Sequence, residues 1–210
     1  MTAAEILRAE RAALCDTFEK FGPDAPTLCE GWLTADLAAH LLVREHRPDA
    51  LPGVIIGGPF AQHTQNLMDR AKSHGYDAMI AKLRTGLPFV FRVGPGAFAN
   101  VMENWIHHED VRRANGEGPR PPDPELDAFL WRTLGLSGKM AARKVKPFGL
   151  ELDAGADRHK VANAAEPRVV MRGAPGEIAL YLAGRKTASV VELDGPDEAV
   201  RAVAEAKFGL

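Results

Sequence analysis

Apolar residues recur at helical spacing near the start of the chain. Between residues 3 and 21 many of them lie three, four or seven positions apart, with charged residues between them. That period predicts an amphipathic helix over 3–21, which Gly22 and Pro23 end. A second apolar stretch follows Thr34, a good N-cap residue, and predicts a helix from Thr34 to about His46.

Glycine and proline divide the middle of the chain into separate segments. The predicted helices there are 60–72, 77–85, 97–115 and 124–143. The third is the longest, and we expect Gly94-Pro95-Gly96 to introduce it. Asn115-Gly116 should end it, because both residue types adopt the left-handed conformation found at helix C-termini.

The pattern changes near Pro147. Short runs of β-branched and apolar residues between turns predict strands, and two segments with helical spacing predict helices. In order, the elements are strands at 148–153, 158–163 and 169–171, a helix at 176–184, a strand at 189–193 and a helix at 196–207. We therefore expect an α+β fold with a mainly helical domain at 1–146 and a small βββαβα domain at 147–210.

Composition narrows the functional classes. Hydrophobic residues make up 46% of the chain and charged residues 26%, as is typical of a globular protein. The formal net charge of -2 does not favour a nucleic-acid surface. No apolar run approaches the ~20 residues of a membrane helix, and the first residues lack the apolar core of a signal peptide. We expect a cytoplasmic protein without nucleic-acid or membrane partners.

The candidate chemistry lies in the long helix predicted over 97–115. Glu103 and His107 are four residues apart, so their side chains lie one turn apart on one face and can converge on one cation. His108 is rotated by about 100° from His107, which keeps it out of that site. His40, inside an otherwise apolar helical segment, is the best candidate for a third ligand.

The predicted ligand set is that of an open metal site. Two histidines and one carboxylate leave coordination positions for water or substrate, as catalytic metal sites do. These donors suit Zn²⁺, with Ni²⁺, Fe²⁺, Co²⁺ and Mn²⁺ as alternatives. Asp36 and Asp110 lie about one turn from His40 and His107 and are candidates to orient the two rings.

A purely structural interpretation also fits these residues. Glu–His pairs at this spacing are common on solvated helix faces, and a buried histidine is often only hydrogen-bonded. On a helical wheel, the apolar stripe of the long helix consists of Phe98, Val101, Met102, Trp105 and Ile106. Glu103 and His107 point away from it. Spacing alone therefore leaves a metal site and an ordinary surface pair both open.

The remaining histidines and the two cysteines give weaker signals. Four histidines lie in predicted loops or at helix ends, where we interpret them as solvated or locally hydrogen-bonded: His46, His63, His74 and His159. Cys15 and Cys29 do not make a disulfide framework. In a reducing compartment we expect each to be a buried, unreactive thiol.

Two motifs resemble those of a known family. One is Pro26-Thr-Leu-Cys-Glu-Gly-Trp32-Leu-Thr-Ala-Asp36-Leu-Ala-Ala-His40-Leu, and the other is Glu103-Asn-Trp-Ile-His107-His-Glu-Asp110-Val-Arg-Arg-Ala. Both are similar to the mycothiol-dependent maleylpyruvate isomerase-type metal-binding proteins of the DinB-like superfamily, which are mostly actinobacterial. The run from Val169 to Arg185 resembles that family's small C-terminal domain, which is related to sterol-carrier proteins.

The resemblance implies an antiparallel four-helix DinB-like bundle followed by a sterol-carrier-like domain. It implies that His40, Glu103 and His107 hold the metal and that Arg185 matches a catalytic arginine. The first hypothesis is then a thiol-dependent isomerase or S-transferase acting on a small electrophile, with mycothiol as cosubstrate. The alternative is a non-enzymatic protein that binds a metal or a lipid-like small ligand, and a homodimer stays open in both cases.

Overall fold

The computed structural model describes residues 1–50, 58, 61–87, 94–155 and 157–209. The chain divides into two units, Met1–Gly118 and Pro119–Leu210. The change of pattern near Pro147 instead predicts a domain boundary between residues 146 and 147. The difference lies in one helix, Pro124–Ala142, which packs on the strands and helix of the second unit.

Five α-helices form most of the described part of the first unit: α1 (Ala3–Phe21), α2 (Thr34–His46), α3 (Ala61–Lys72), α4 (Tyr76–Arg84) and α5 (Gly94–Ala114). A short 3₁₀ helix, Pro48–Ala50, follows α2. α1 packs along α5 and against α4, and α2 packs against α3 and α4. The corresponding predicted helices are confirmed, although the predicted start at residue 60 lies outside the described residues.

The core of this unit is aliphatic and aromatic. Its fully buried members include Leu14, Phe18, Leu37, Leu41 and Ile80. Arg11 and Glu45 are buried as well, and Arg11 Nη1 donates to Glu45 Oε2 at 2.8 Å and to the Leu83 carbonyl at 3.2 Å. The interior tolerates such a pair because each charge has a direct partner.

The start of α2 differs from the prediction. The N-cap is Leu33, whose N–H donates to the Asp36 carboxylate at 3.1 Å. The Thr34 hydroxyl donates to the Gly22 carbonyl instead of capping the helix. The expectation that Thr34 is the N-cap is therefore wrong, because a longer-range partner takes its side chain while Asp36 satisfies the free N–H.

α5 begins at Gly94, three residues before the predicted start, because proline fits the first turn of a helix. The predicted apolar stripe of this helix is wrong in part, since Phe98 is 38% exposed. The buried side includes several polar residues: Asn100, Asn104, His107, His108 and Asp110. A wheel that sorts residues only by hydropathy cannot find such a face.

The second unit combines a long helix with a sheet. Its elements are α6 (Pro124–Ala142), β1 (Gly149–Asp153), β2 (His159–Asn163), β3 (Arg168–Arg172), α7 (Pro175–Leu182), β4 (Glu192–Asp194) and α8 (Asp197–Glu205), with a 3₁₀ helix at Lys186–Ala188. The sheet order is β2-β1-β3-β4, with β1 parallel to β3 and the other pairs antiparallel. The predicted βββαβα succession is confirmed.

The fourth strand lies later than the predicted segment 189–193. The Val190 N–H donates to the Glu177 carboxylate at 2.7 Å and is therefore not available to a strand ladder. β4 pairs with β3 only from Glu192 to Asp194.

The fold is thus mixed α+β and mainly helical, with eight α-helices and a four-stranded sheet in the described residues. The finer layout, a four-helix bundle followed by a sterol-carrier-like domain, stays a prediction. Across the described ranges, we find no helix with the length and apolar character needed to span a bilayer.

Candidate metal centre

The side chains of His40, Glu103 and His107 converge in the first unit. Glu103 Oε1 lies 3.2 Å from His107 Nε2 and 3.7 Å from His40 Nε2. The three donor atoms all lie within 4.8 Å of one another. α5 supplies the Glu–His pair from successive turns of one face, and α2 supplies His40.

The two imidazole rings meet edge to face. Their centroids are 5.6 Å apart with an interplanar angle of 74°. The Trp32 ring, in the loop before α2, lies 5.0 Å from the His40 ring and limits its movement. The side chains of His40 and His107 are only 12% and 11% exposed.

These distances fit a bound cation. Ligand atoms around a tetrahedral Zn²⁺ lie at ~2.0–2.2 Å from the metal, and therefore about 3.3–3.6 Å from each other. The two distances measured from Glu103 Oε1 bracket that value. Small side-chain adjustments would bring one Oε and two Nε2 atoms to a shared ion, so the residues present fit a divalent metal.

Asp110 contacts His107 at Nδ1, the ring nitrogen that does not face Glu103. Its Oδ2 lies 2.9 Å from His107 Nδ1, and the Asp110 side chain is fully buried. A carboxylate at Nδ1 keeps the proton there and directs Nε2 toward the ligand position. The prediction that Asp110 can orient His107 agrees with this contact.

Asp36 has a different role from the one predicted. Its carboxylate accepts hydrogen bonds from Lys72 Nζ at 2.9 Å and from the Leu33 N–H. The Asp36 carboxylate thus caps α2 and ties it to α3. The expectation that it orients His40 is wrong.

Cys29 is a neighbour of the site that the sequence does not predict. Cys29 Sγ donates to Asp110 Oδ2 at 3.2 Å and lies 3.9 Å from His107 Nδ1. Cys29, His107 and Asp110 form a second group with metal-binding donor types, which shares His107 with the first. Because 81 residues separate Cys29 from Asp110, spacing carried no signal for this contact.

Arg44 is a second neighbour outside the predicted set, although it lies one helical turn after His40. Arg44 Nε lies 3.2 Å from Glu103 Oε1, and Nη1 donates to Asn100 Oδ1 at 2.6 Å. The guanidinium fixes the Glu103 carboxylate and adds a positive charge beside the ligand position. The i, i+4 relation of Arg44 to His40 could have indicated it.

The electrostatics of the site favour a charged Glu103. Burial raises the pKa of Glu103, but hydrogen bonds from His107 and His40 outweigh burial and hold that pKa well below its usual value. Burial lowers the pKa of His107, but hydrogen bonding to Asp110, then to Cys29 and Glu103, raises the pKa well above that of ordinary imidazole. Without a metal, a protonated His107 therefore supplies some of the positive charge that a cation would bring to Glu103.

His40 behaves differently. Burial lowers the pKa of His40, and its contact with Glu103 only partly opposes this. A neutral imidazole is the form that ligates a metal.

His108 is outside the site, as its rotation along the helix predicts. His108 Nδ1 lies 2.8 Å from Glu10 Oε1, and Nε2 lies 2.7 Å from Thr17 Oγ1. Both partners belong to α1, so His108 joins α5 to α1.

Arg185 lies in the second unit, just after α7. Its Nη1 donates to the Ala183 carbonyl at 2.7 Å. The catalytic role that the resemblance implies for Arg185 stays a prediction.

Comparisons with known proteins bear on the fold. No protein-family model matches the chain, and no curated protein sequence matches it. Among solved structures, the chain is similar to a mycothiol-dependent maleylpyruvate isomerase, with 18% identity, 91% of each chain covered and a TM-score of 0.60. The chain has a maleylpyruvate isomerase-like fold. A histidine-to-alanine mutant of such an isomerase matches at 16% identity and a TM-score of 0.53, over 90% of this chain and 91% of that one.

Proposed function

We propose that this chain binds a divalent metal, Zn²⁺ first, through His40, Glu103 and His107. One observation carries the proposal: three donor atoms from two helices lie within 4.8 Å of one another. A chance surface pair would not need a third ligand, a buried carboxylate behind one histidine and an aromatic ring against another. Ni²⁺, Fe²⁺, Co²⁺ and Mn²⁺ share these donor types and are the alternatives.

We further propose that the site serves a thiol-dependent isomerase or S-transferase acting on a small electrophile, with mycothiol as cosubstrate. When bound, such a metal makes a coordinated thiol a thiolate near neutral pH. Asp110 would hold His107 in the ligating tautomer, and Arg44 would hold Glu103 charged and in position. The isomerase-like fold supports this reaction class, and the small electrophile is not identified.

The first experiment is elemental analysis of the purified chain. Near-stoichiometric metal is expected in the wild type and little in His107→Ala. His63→Ala is the matched control, because His63 is exposed and lies 2.9 Å from Asp49 Oδ2 rather than near the site. Absence of metal from the wild type after loading with Zn²⁺ or Ni²⁺ would exclude the proposed site.

A turnover assay separates the enzyme from a non-enzymatic binder. The metal-loaded chain should accelerate thiol addition or cis–trans isomerisation of electrophilic unsaturated acids, and His107→Ala should not. Arg185→Gln should lower turnover while its metal content stays that of the wild type. A chain that holds metal yet gives no turnover with mycothiol and these acids would favour the binder.

A further inference from the structure

A cavity of about 220 Å³ lies in the first unit, between α2, α3 and α4. Leu42, Val43 and His46 line it from α2. Leu42 and His46 lie two and six positions after His40, and so project from roughly the opposite side of that helix. The cavity is therefore separate from the candidate metal centre.

The walls of the cavity are aliphatic. Leu67 and Ala71, four residues apart on α3, face Leu42 and Val43 across it. Two of these side chains, Val43 and Leu67, are buried. Walls of this kind take up the hydrocarbon part of a small molecule, while a few polar groups fix its orientation.

One residue that lines the cavity carries a polar atom that no group of the described residues partners. His46 Nε2 is buried, and no hydrogen-bonding group of the described residues reaches it. The expectation that His46 is solvated or locally hydrogen-bonded is wrong for this nitrogen. Buried polar atoms are nearly always paired, because an unpaired one loses its hydrogen bonds to water without replacement. A turn of the His46 ring toward the cavity would let a bound ligand supply the missing acceptor.

The rim of the cavity is positively charged. Arg70 and Lys82 line it, and neither forms an ion pair in the part of the chain that the structure describes. Arg47 reaches the same cavity but is paired with Asp49 at 2.8 Å. Two cations without counter-charges among the described residues, beside an apolar wall, favour a ligand with one anionic end.

We propose that this cavity binds a small amphipathic organic acid, with a carboxylate on an aliphatic body. The carboxylate would accept the hydrogen bond of His46 Nε2 and lie beside Arg70 and Lys82. The aliphatic body would pack on Leu67 and Ala71. This site is independent of the metal and of the proposed reaction.

The probes are octanoate and 1-octanol, which share an alkyl chain and differ in charge. Titration calorimetry of the full chain should show one octanoate per chain, bound about tenfold or more tightly than 1-octanol. Octanoate binding should persist in His107→Ala, because a carboxylate bound to the metal centre would be lost there.

Variants locate the site. Lys82→Gln and Arg70→Gln should each weaken octanoate binding about tenfold and leave 1-octanol binding unchanged. Lys139→Gln, at an exposed lysine of α6, is the matched control and should bind octanoate as the wild type does. Ala71→Trp should abolish binding of both probes by filling the cavity, and Ala71→Leu replaces it if the tryptophan variant does not fold.

Four results would overturn the proposal. The first is no octanoate binding in the millimolar range, and the second is equal affinity for octanoate and 1-octanol. The third is octanoate binding that survives in a folded Ala71 variant, and the fourth is octanoate binding that disappears in His107→Ala.

Discussion

Replacing Asp110 by asparagine removes the carboxylate behind His107 and keeps the side-chain size. Asp110 Oδ2 lies 2.9 Å from His107 Nδ1 and 3.2 Å from Cys29 Sγ. A carboxylate only accepts hydrogen bonds, so it keeps the proton on Nδ1 and leaves Nε2 to a metal. An asparagine amide can present a donor instead, which favours the tautomer with the proton on Nε2.

The expected effect is a 10–100-fold loss of Zn²⁺ affinity, which corresponds to about 1.4–2.8 kcal/mol of binding free energy. This is the usual range when a metal-binding histidine loses the group that is hydrogen-bonded to its other ring nitrogen. Asp110 has 0% exposure, so water cannot take over the hydrogen bond. We therefore expect a loss in the upper part of this range.

The measurement is competition for Zn²⁺ with a chromogenic chelator at fixed pH. Asp36→Asn is the matched control, because Asp36 is also an acidic residue one turn from a proposed ligand. Its carboxylate bonds to Lys72 and the Leu33 N–H. Asp36→Asn should therefore lower helix stability and leave metal affinity unchanged.

Two results would refute this reasoning. Asp110→Asn could bind Zn²⁺ as tightly as the wild type, so that the buried carboxylate has no role in ligation. Alternatively, Asp36→Asn could weaken binding as much as Asp110→Asn, so that any charge near the helices matters equally. Circular dichroism of the metal-free variants checks that both are folded.

Three further predictions concern the same unit. Because hydrogen bonding to Asp110 holds the pKa of His107 above its unfolded value, this stability is complete below about pH 6.5 and is lost as the pH rises through the folded pKa. Thermal unfolding of the metal-free chain should show a decline in Tm over that pH window, and the decline should be absent from His107→Ala. Over the same window the Zn²⁺ affinity of the wild type should rise about tenfold per pH unit. A decline in Tm that persists in His107→Ala would mean that other groups cause it. Burial raises the pKa of the Cys15 thiol to about 11. At pH 8 a thiol reagent should therefore label half-buried Cys29 well before Cys15, as followed by mass spectrometry. Rapid labelling of Cys15 in the native protein would contradict its burial. Arg11→Met should lower the free energy of unfolding, measured in urea, by about 3–5 kcal/mol, because it leaves Glu45 buried without its partner. The double variant with Glu45→Leu should recover most of this stability. An equal loss in both variants would mean that the buried charge is not the cause.

The sequence by itself determined the order of elements and one part of the site. Helix periods, glycine and proline breaks, and strand alternation are local signals, so α1 and the βββαβα succession could be predicted from them. The four-residue spacing likewise determined that Glu103 and His107 share a face. The position of His40 in an apolar helix predicts it as the third ligand, and the resemblance to known metal-binding proteins implies the same residue.

Only the tertiary structure decided which other residues surround that pair. Asp36 and Asp110 look equivalent in the sequence, but Lys72 and the N-terminus of α2 take one, while His107 takes the other. Spacing carries no signal for Cys29, or for the His46 nitrogen that no described group reaches, because residues distant in the chain build their environments. Hydropathy also misplaced the inner face of α5, since polar groups can be buried where partners from other helices satisfy them, and those partners exist only once the chain has folded.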